Sequence, residues 1–447
     1  MGIEIRAVGG YNEVGRNMTA VKVDDQVIIL DMGLHLEPYI AYTEDEDFGR
    51  SLSREELLKV GAVPDDRVID GWRDKVRAII PTHAHLDHVG ALPYLAKRYK
   101  APILCTPYTK EIIKAILADE KIALKNDIRV LNANSQANLS KKVRVEFINM
   151  THSIPQTVMV ALHTPYGIVL YANDFKFDNQ PIIGKKPNYE KLRQLGKDGI
   201  LALICDCTRA RTEGKTLSEN IAREMLKDVL LGTDSTGKAV IVTTFSSHIA
   251  RLKSIVEFGG KMGRKVVFLG RSLSKYVTAA ENIDLVNFSE EVEMVAYGSQ
   301  VRRKLKQIEK DGPEKYLMVV TGHQGEPKAT LSKMAGNELH FPFSREDHIV
   351  FSCGVIPSDI NIMNRTVLEE HLNRFGVRIF KDIHVSGHAA KEDLRELLNM
   401  VRPRFLFPAH GNNEMKQGLC DLALEKGYAK GSIFMLENGK GALVPVQ

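Results

Sequence analysis

The chain has 447 residues, 44% apolar and 26% charged, which excludes a disordered, collagenous or coiled-coil protein and suits two or three domains of about 150 residues each. The formal net charge of +5 is compatible with a polyanionic partner without demonstrating one, and the whole excess lies in residues 209–315, with 19 Lys and Arg against 14 Asp and Glu. Five scattered cysteines without a CxxC pair fit a reducing, cytoplasmic setting, and neither a signal segment nor an apolar run of membrane-spanning length is found.

Ile3 to Val8 alternates as a strand, Gly9-Gly10 turns, and strands follow at Met18–Val23 and Val27–Leu30 around Asp24-Asp25. Residues 35–72 break the rhythm with Glu44-Asp45-Glu46-Asp47, one short helix from Ser53 to Val60, and Pro64, and read as a surface excursion. Val76–Ile80 is a buried strand, with a helix from about Gly90 to Tyr99, a strand at Ile103–Cys105 and a helix from Tyr108 to Asp119. Strands at Val143–Phe147, Thr157–Leu162, Gly167–Tyr171 and Leu201–Asp206 complete this half. From about 217 the pattern becomes regular α/β alternation: helix 217–231, strand Ala239–Thr243, helix 247–260, strand Lys265–Leu269, helix 272–281 and strand Tyr316–Val320, the signature of a parallel sheet. Short strands His348–Phe351, Val377–Phe380 and Phe405–Phe407, with helices 363–374 and 390–400, resume the first rhythm. An α/β block inserted into a first domain fits this order.

The densest chemistry is His83-Ala84-His85-Leu86-Asp87-His88, four metal-competent side chains in six residues after a buried strand. Imidazole and carboxylate together suit Zn, Mn or Fe. His83 and His85, two apart in extended chain, point the same way and can share an ion, while Asp87 and His88 are offset toward a second. His152, Asp174 and His410 each follow an apolar strand, as residues of a shared sheet-edge site would. Ser246-Ser247-His248 follows a strand and opens a helix, where N–H groups and hydroxyls suit a phosphate; an ordinary serine N-cap accounts for the same residues. Arg271, after Gly270, has a similar strand-end place. The basic run Arg302-Arg303-Lys304-Leu305-Lys306 suits either a phosphate track or a solvated helix face.

The His-x-His-x-Asp-His motif, the later His152, Asp174 and His410, and Asp31 after its strand resemble the five motifs of the metallo-β-lactamase superfamily. The inserted block narrows the resemblance to the β-CASP nucleases. Gly9 to Asn17, Thr321-Gly322-His323-Gln324-Gly325-Glu326-Pro327 and His384-Val385-Ser386-Gly387-His388-Ala389 are similar to the ribonuclease J family, end to end from Gly9 to Gly411.

That resemblance implies an αββα metallo-β-lactamase sandwich from residues 1–208 and 351–447, with a β-CASP domain at 209–350 and RNA in the cleft between them. It implies two divalent ions, zinc or else manganese. His83, His85, His152 and Asp174 would hold one; Asp87, His88, the bridging Asp174 and His410 would hold the other. Asp31 would orient a ligand histidine. Two such metals can supply a nucleophile and clamp a phosphate, Asp87 accepting a proton from the attacking water and His388, tuned by Asp206, protonating the leaving 3′ oxygen. Ser246, Ser247, His248, Arg271, Ser352, His384 and Ser386 would form a pocket for a 5′-monophosphate, making the protein a 5′→3′ exonuclease on single-stranded RNA. A homodimer is consistent with the family, and no membrane partner is implied. The sequence departs from relatives at Asn412, where an acidic residue often follows His-Gly, and at His323, where a small polar residue is common. The short form, without an added C-terminal domain or an N-terminal KH-like extension, resembles the archaeal branch. The competing readings are a cleavage-factor-like β-CASP endonuclease, a DNA nuclease and an inactive RNA-binding member.

Overall fold

The computed structural model describes residues 1–44 and 52–446, so residues 45–47 of the acidic run beginning at Glu44 lie outside the described residues. The chain divides into two compact units: Met1–Asn179 with Gly184–Thr216 and Gly387–Gln447, and Gln180–Ile183 with Leu217–Ser386.

In the first unit one sheet runs, edge to edge, through Gly441–Val444, Ile3–Gly9, Met18–Val23, Gln26–Leu30, Val76–Ile80, Ile103–Cys105 and Ile128–Val130. A second runs through Phe405–Ala409, Ile200–Asp206, Gly167–Ala172, Val158–Thr164, Arg144–Asn149 and Gln136–Asn138. The two-residue period of a strand decides which side chains meet. Val145, Phe147, Val158, Val160, Val169 and Tyr171 share one buried cluster with Ile5, Val21, Ile28 and Ile80 of the first sheet. Ile148, Met159, Ala161 and Leu170 face the other way, onto Leu192, Leu397 and Leu419 of helices Tyr189–Asp198, Lys391–Val401 and Asn413–Glu425. The first sheet has its own helical cover, with Asp66–Lys75 against Ile3–Gly9 and Gln26–Leu30, and Pro107–Asp119 against Ile128–Val130. This is the αββα layering the sequence implied.

The surface excursion is anchored by a buried acid. Asp66 is bound by Arg54, Arg98 and the Tyr99 hydroxyl, and the short helix Arg54–Lys59 starts on a Ser53–Glu56 capping box. The helix expected from Gly90 to Tyr99 is broken into Leu86–Val89, Leu92–Leu95 and a short turn Ala96–Arg98.

In the second unit six strands are all parallel, in the order Val292–Val295, Lys265–Leu269, Tyr316–Val320, Val240–Thr243, His348–Phe351 and Arg378–Phe380. The near-continuous apolar runs of the four central strands match burial on both faces. The chain returns to the first unit later than the expected residue 351. His348–Phe351 pairs with Val240–Thr243, and Arg378–Phe380 pairs with His348–Val350, so both strands extend the inserted sheet and the return comes at Gly387. A strand of three or four residues carries no mark of which sheet it will join. Within the first unit the two ends flanking the insertion are fastened together: Thr216 Oγ1 donates to His388 O at 2.6 Å and Thr216 N to Asp393 Oδ2 at 2.8 Å. Among the described residues no helix is long and apolar enough to cross a membrane.

Candidate metal centre

Topology brings the strand ends together. Gln26–Leu30 and Val76–Ile80 are parallel neighbours, so Asp31 and the Thr82–His88 segment leave the first sheet at one edge. In the second sheet Gly167–Ala172, Ile200–Asp206 and Phe405–Ala409 are mutually parallel, and Arg144–Asn149 points the same way through the intervening antiparallel Val158–Thr164. Asp174, Asp206, His410 and His152 therefore emerge along one edge. Asp31, Asp174 and His410 each adopt a left-handed backbone, with φ of 59°, 53° and 56°, turning the chain sharply as it leaves the strand.

Two four-membered groups of donors form around Asp174, one of His83, His85, His152 and Asp174, the other of Asp87, His88, Asp174 and His410, and a third, smaller one joins Asp174 to Asp206 and His388. In the first, His83 Nε2 and His152 Nε2 each stand 3.1 Å from His85 Nδ1 and 3.6 Å from Asp174 Oδ2. In the second, His88 Nε2 is 3.3 Å from Asp174 Oδ2 and 3.4 Å from Asp87 Oδ2, and His410 Nε2 is 3.4 Å from Asp174 Oδ1.

The outer nitrogens fix the tautomers. His88 Nδ1–H donates to Asp31 Oδ2 at 2.8 Å, His152 Nδ1–H to Gly387 O at 2.8 Å and His410 Nδ1–H to Asn17 Oδ1 at 2.8 Å. Thr82 Oγ1 donates to Asp31 and so accepts from His83 Nδ1–H at 3.0 Å. Each bond leaves a lone pair on Nε2 directed inward. Several inward lone pairs and a buried Asp174 Oδ1 that receives no hydrogen bond make a cradle that a divalent cation fits.

Electrostatics agree. Burial, with help from neighbouring imidazoles, holds His83 and His152 well below the usual histidine range, and burial brings His85 down to about 4, so all three are neutral donors. Burial would lower His88 too, but the carboxylates of Asp174, Asp87 and Asp31 outweigh it and drive it well above that range. Burial raises Asp87 and Asp174, yet the surrounding histidines prevail and keep both carboxyls low. This second group thus asks for positive charge. Asp87 is its open member, 18% exposed where Asp174 is 2%.

Beside the centre, His388 Nδ1–H donates to Asp206 Oδ2 at 2.8 Å, and its Nε2 lies 4.0 Å from Asp174 Oδ2. Burial opposes charge on His388, but Asp206 first and Asp174 next raise it to about 9. Asp206 Oδ1 also accepts from Thr208 N–H at 2.7 Å, so the turn and the His388 contact use different oxygens of one carboxylate.

The expected phosphate-pocket residues all belong to the second unit, six of them beyond C-terminal ends of its parallel strands. Ser246 and Ser247 follow Val240–Thr243, Arg271 follows Lys265–Leu269 and is exposed, Ser352 follows His348–Phe351, and half-buried His384 and Ser386 come after Arg378–Phe380. His248, not a serine, is the N-cap of helix Ile249–Lys261, and its Nε2 lies 3.3 Å from Glu219 Oε2. Ser352 is fully buried, its hydroxyl donating to Ile383 O and accepting from Arg251. Arg251 grips Glu219 through two bonds of 2.6 and 2.9 Å and also holds Ser352 O and Ile383 O. Phe245 packs against His323, ring centres 4.3 Å apart and planes tilted by 60°, and lies 6.1 Å from His384. In the basic run, Lys304 is buried on Glu293 while Arg302, Arg303 and Lys306 face solvent.

Sequence reasoning missed Asn17, Thr82, Gly387 and the Tyr171 hydroxyl that donates to Asp31 Oδ2 at 2.9 Å, as well as Arg251 and Glu219. Asn17 and Gly387 stood inside recognised motifs; the others gave no local signal.

Comparison with known proteins agrees with this geometry. A model described as the metallo-beta-lactamase superfamily matches residues 11–198, one for the ribonuclease J beta-CASP domain matches 237–369, and one for a Zn-dependent metallo-hydrolase RNA specificity domain matches 377–434. Ribonuclease J of Methanocaldococcus jannaschii is 47% identical over 442 residues, covering 98% of both chains. Ribonuclease J of Pyrococcus abyssi is 42% identical over 446 residues, covering 99% of this chain and 97% of the relative. Ribonuclease J2 of Bacillus subtilis is 27% identical over 98% of this chain and 74% of its own length. A crystal structure of a protein of unknown function from Enterococcus faecalis aligns over 99% of this chain and 100% of its own, with a TM-score of 0.65 at 17% identity, a likeness of fold alone. The chain belongs to the ribonuclease J family, within the β-CASP branch of the metallo-β-lactamase superfamily.

Proposed function

We propose that the protein is a metal-dependent ribonuclease that degrades single-stranded RNA in the 5′→3′ direction from a 5′-monophosphate end. The observation that carries this reading is the two donor groups sharing Asp174, with the His388–Asp206 pair beside them. When bound, two divalent ions, zinc or manganese, supply Lewis acidity for an attacking water and neutralise phosphate charge. His83, His85 Nδ1, His152 and Asp174 would hold one; Asp87, His88, Asp174 and His410 the other.

The remaining chemistry belongs to side chains. Asp87, the open carboxylate, takes the proton of the attacking water. His388, kept protonated by Asp206, hands the Nε2 proton to the departing 3′ oxygen. The products are a 5′-nucleotide with a free 3′-hydroxyl and an RNA shortened by one, again with a 5′-phosphate. Ser246, Ser247, Arg271, His384 and Ser386 would receive the terminal phosphate, which is consistent with their place beyond the carboxyl ends of a parallel sheet, where α/β sheets receive ligands. Buried His248 and Ser352 would shape that pocket from behind. Five buried free cysteines fit a reducing cytoplasm, and a homodimer is a consistent assembly.

The test is hydrolysis of RNA labelled at its 3′ end and bearing a 5′-monophosphate or a 5′-triphosphate, with Zn or Mn, alongside Asp87→Ala. Progressive shortening from the 5′ end, faster on the monophosphate and lost in the variant, is the expected result. Discrete internal cuts indifferent to the 5′ group would replace this reading with the endonuclease.

A further inference from the structure

Asn17 is buried and fastened by its backbone, its N–H donating to Asp87 O at 3.0 Å and its carbonyl accepting from Gly33 N–H at 2.9 Å. Its side chain reaches further. Oδ1 accepts from His410 Nδ1–H at 2.8 Å, and Nδ2 lies 3.0 Å from Asp87 O, 3.3 Å from Asp87 Oδ2 and 3.1 Å from His88 Nε2. We propose that Asn17 is the positioning residue of the ion held by Asp87, His88, Asp174 and His410. Oδ1 fixes the His410 tautomer whose Nε2 lone pair faces the ion, and Nδ2–H steadies Asp87.

The chemistry of the amide supports this assignment. Reversed, it would set Oδ1 against two Asp87 oxygens and an N–H against the His410 N–H, so only the stated orientation satisfies both Asp87 and His410. An ion takes the Nε2 lone pair of the neutral His88 ring, so the 3.1 Å approach of Nδ2 to that nitrogen is no hydrogen bond in the loaded site and Nδ2 serves Asp87. The other histidines with a fixed outer nitrogen lean on Thr82, Asp31 and the Gly387 carbonyl. His410 leans on Asn17 alone among the described contacts of its Nδ1. Gly10 makes the arrangement possible: its carbonyl accepts from His410 N–H at 2.6 Å, and a Cβ there would lie 2.5 Å from Asn17 Oδ1.

This inference rests on the two-ion reading, and the experiment separates them. The full chain, stripped by chelator, is titrated with Zn²⁺ and with Mn²⁺, and metal bound per chain is counted by mass spectrometry. Wild type should bind two ions; one or none would defeat the two-ion reading itself. Asn17→Ala should weaken one ion by about 10–100-fold and leave the other unchanged. If Asn17→Ala does not fold by circular dichroism, Asn17→Ser, too short to reach His410, replaces it with the same expectation. Asn17→Asp retains an acceptor and should restore the His410 Nδ1–H signal in ¹⁵N-histidine spectra of the metal-free protein, with much of the lost affinity. Wild-type affinity for both ions in Asn17→Ala or Asn17→Ser overturns the proposal. So does recovered affinity in Asn17→Asp without that signal, which would assign the recovery to charge.

Discussion

At the scale of single residues, the centre depends on what stands behind each imidazole. Asp206 raises His388, so the protonated form persists at neutral pH and is lost as pH rises through the elevated value. Asp206→Asn keeps the side-chain shape and removes the anion. The alkaline limb of kcat should therefore move to lower pH than in wild type, with bound metal per chain unchanged; an unmoved limb would remove Asp206 from this role. The members of the two donor groups were legible because their density in His83–His88 has few bland explanations, and because His152, Asp174 and His410 repeat one placement after a strand. Asn17 was not legible as a partner. Its neighbours His88 and His410 are 71 and 393 residues away in the chain, and only the meeting of sheet edges brings them together.

At the scale of elements, the second unit has a buried ionic hub where the sequence suggested only phosphate contacts. Arg251 and Glu219 join the first turns of helices Ile249–Lys261 and Glu219–Gly232 to the segments at Ser352 and Ile383. Removing Arg251 takes two hydrogen bonds from the buried Glu219 carboxylate and leaves it His248, so Arg251→Met should cost about 3–5 kcal/mol in urea unfolding. The Arg251→Met, Glu219→Gln pair should recover much of that loss; a single variant as stable as wild type would show that the hub contributes little. Most strands of both units were legible from alternation and from uninterrupted apolar runs. The three- and four-residue strands Ile128–Val130, Gln136–Asn138, Val292–Val295 and Gly441–Val444 were not, since so short a segment holds no period. The helix expected from Gly90 to Tyr99 is instead three short pieces: Pro93, which has no backbone N–H to donate, sits in the first turn of Leu92–Leu95, where a new helix starts.

At the scale of the whole molecule, the change of rhythm near residue 217 announced an insertion, and the family motifs assigned its kind. The point of return was obscure for a physical reason: His348–Phe351 and Arg378–Phe380 are ordinary short strands, and pairing with Val240–Thr243 is a tertiary fact. The insertion leaves the first unit at Thr216 and rejoins it at Gly387, one residue before His388, where the Thr216 hydroxyl meets the His388 carbonyl. It is thus a graft on a closed neck, as tolerated insertions are. A shortened chain joining Thr216 to Gly387 through a few glycines should still load metal at wild-type stoichiometry while losing preference for a 5′-monophosphate, measured by metal counting and by hydrolysis of a small phosphodiester. Failure to bind metal would make the graft part of the centre's support. Because the closing hydrogen bond carries the backbone of His388, the neck lets selection rebuild the graft without re-aiming the His388–Asp206 pair.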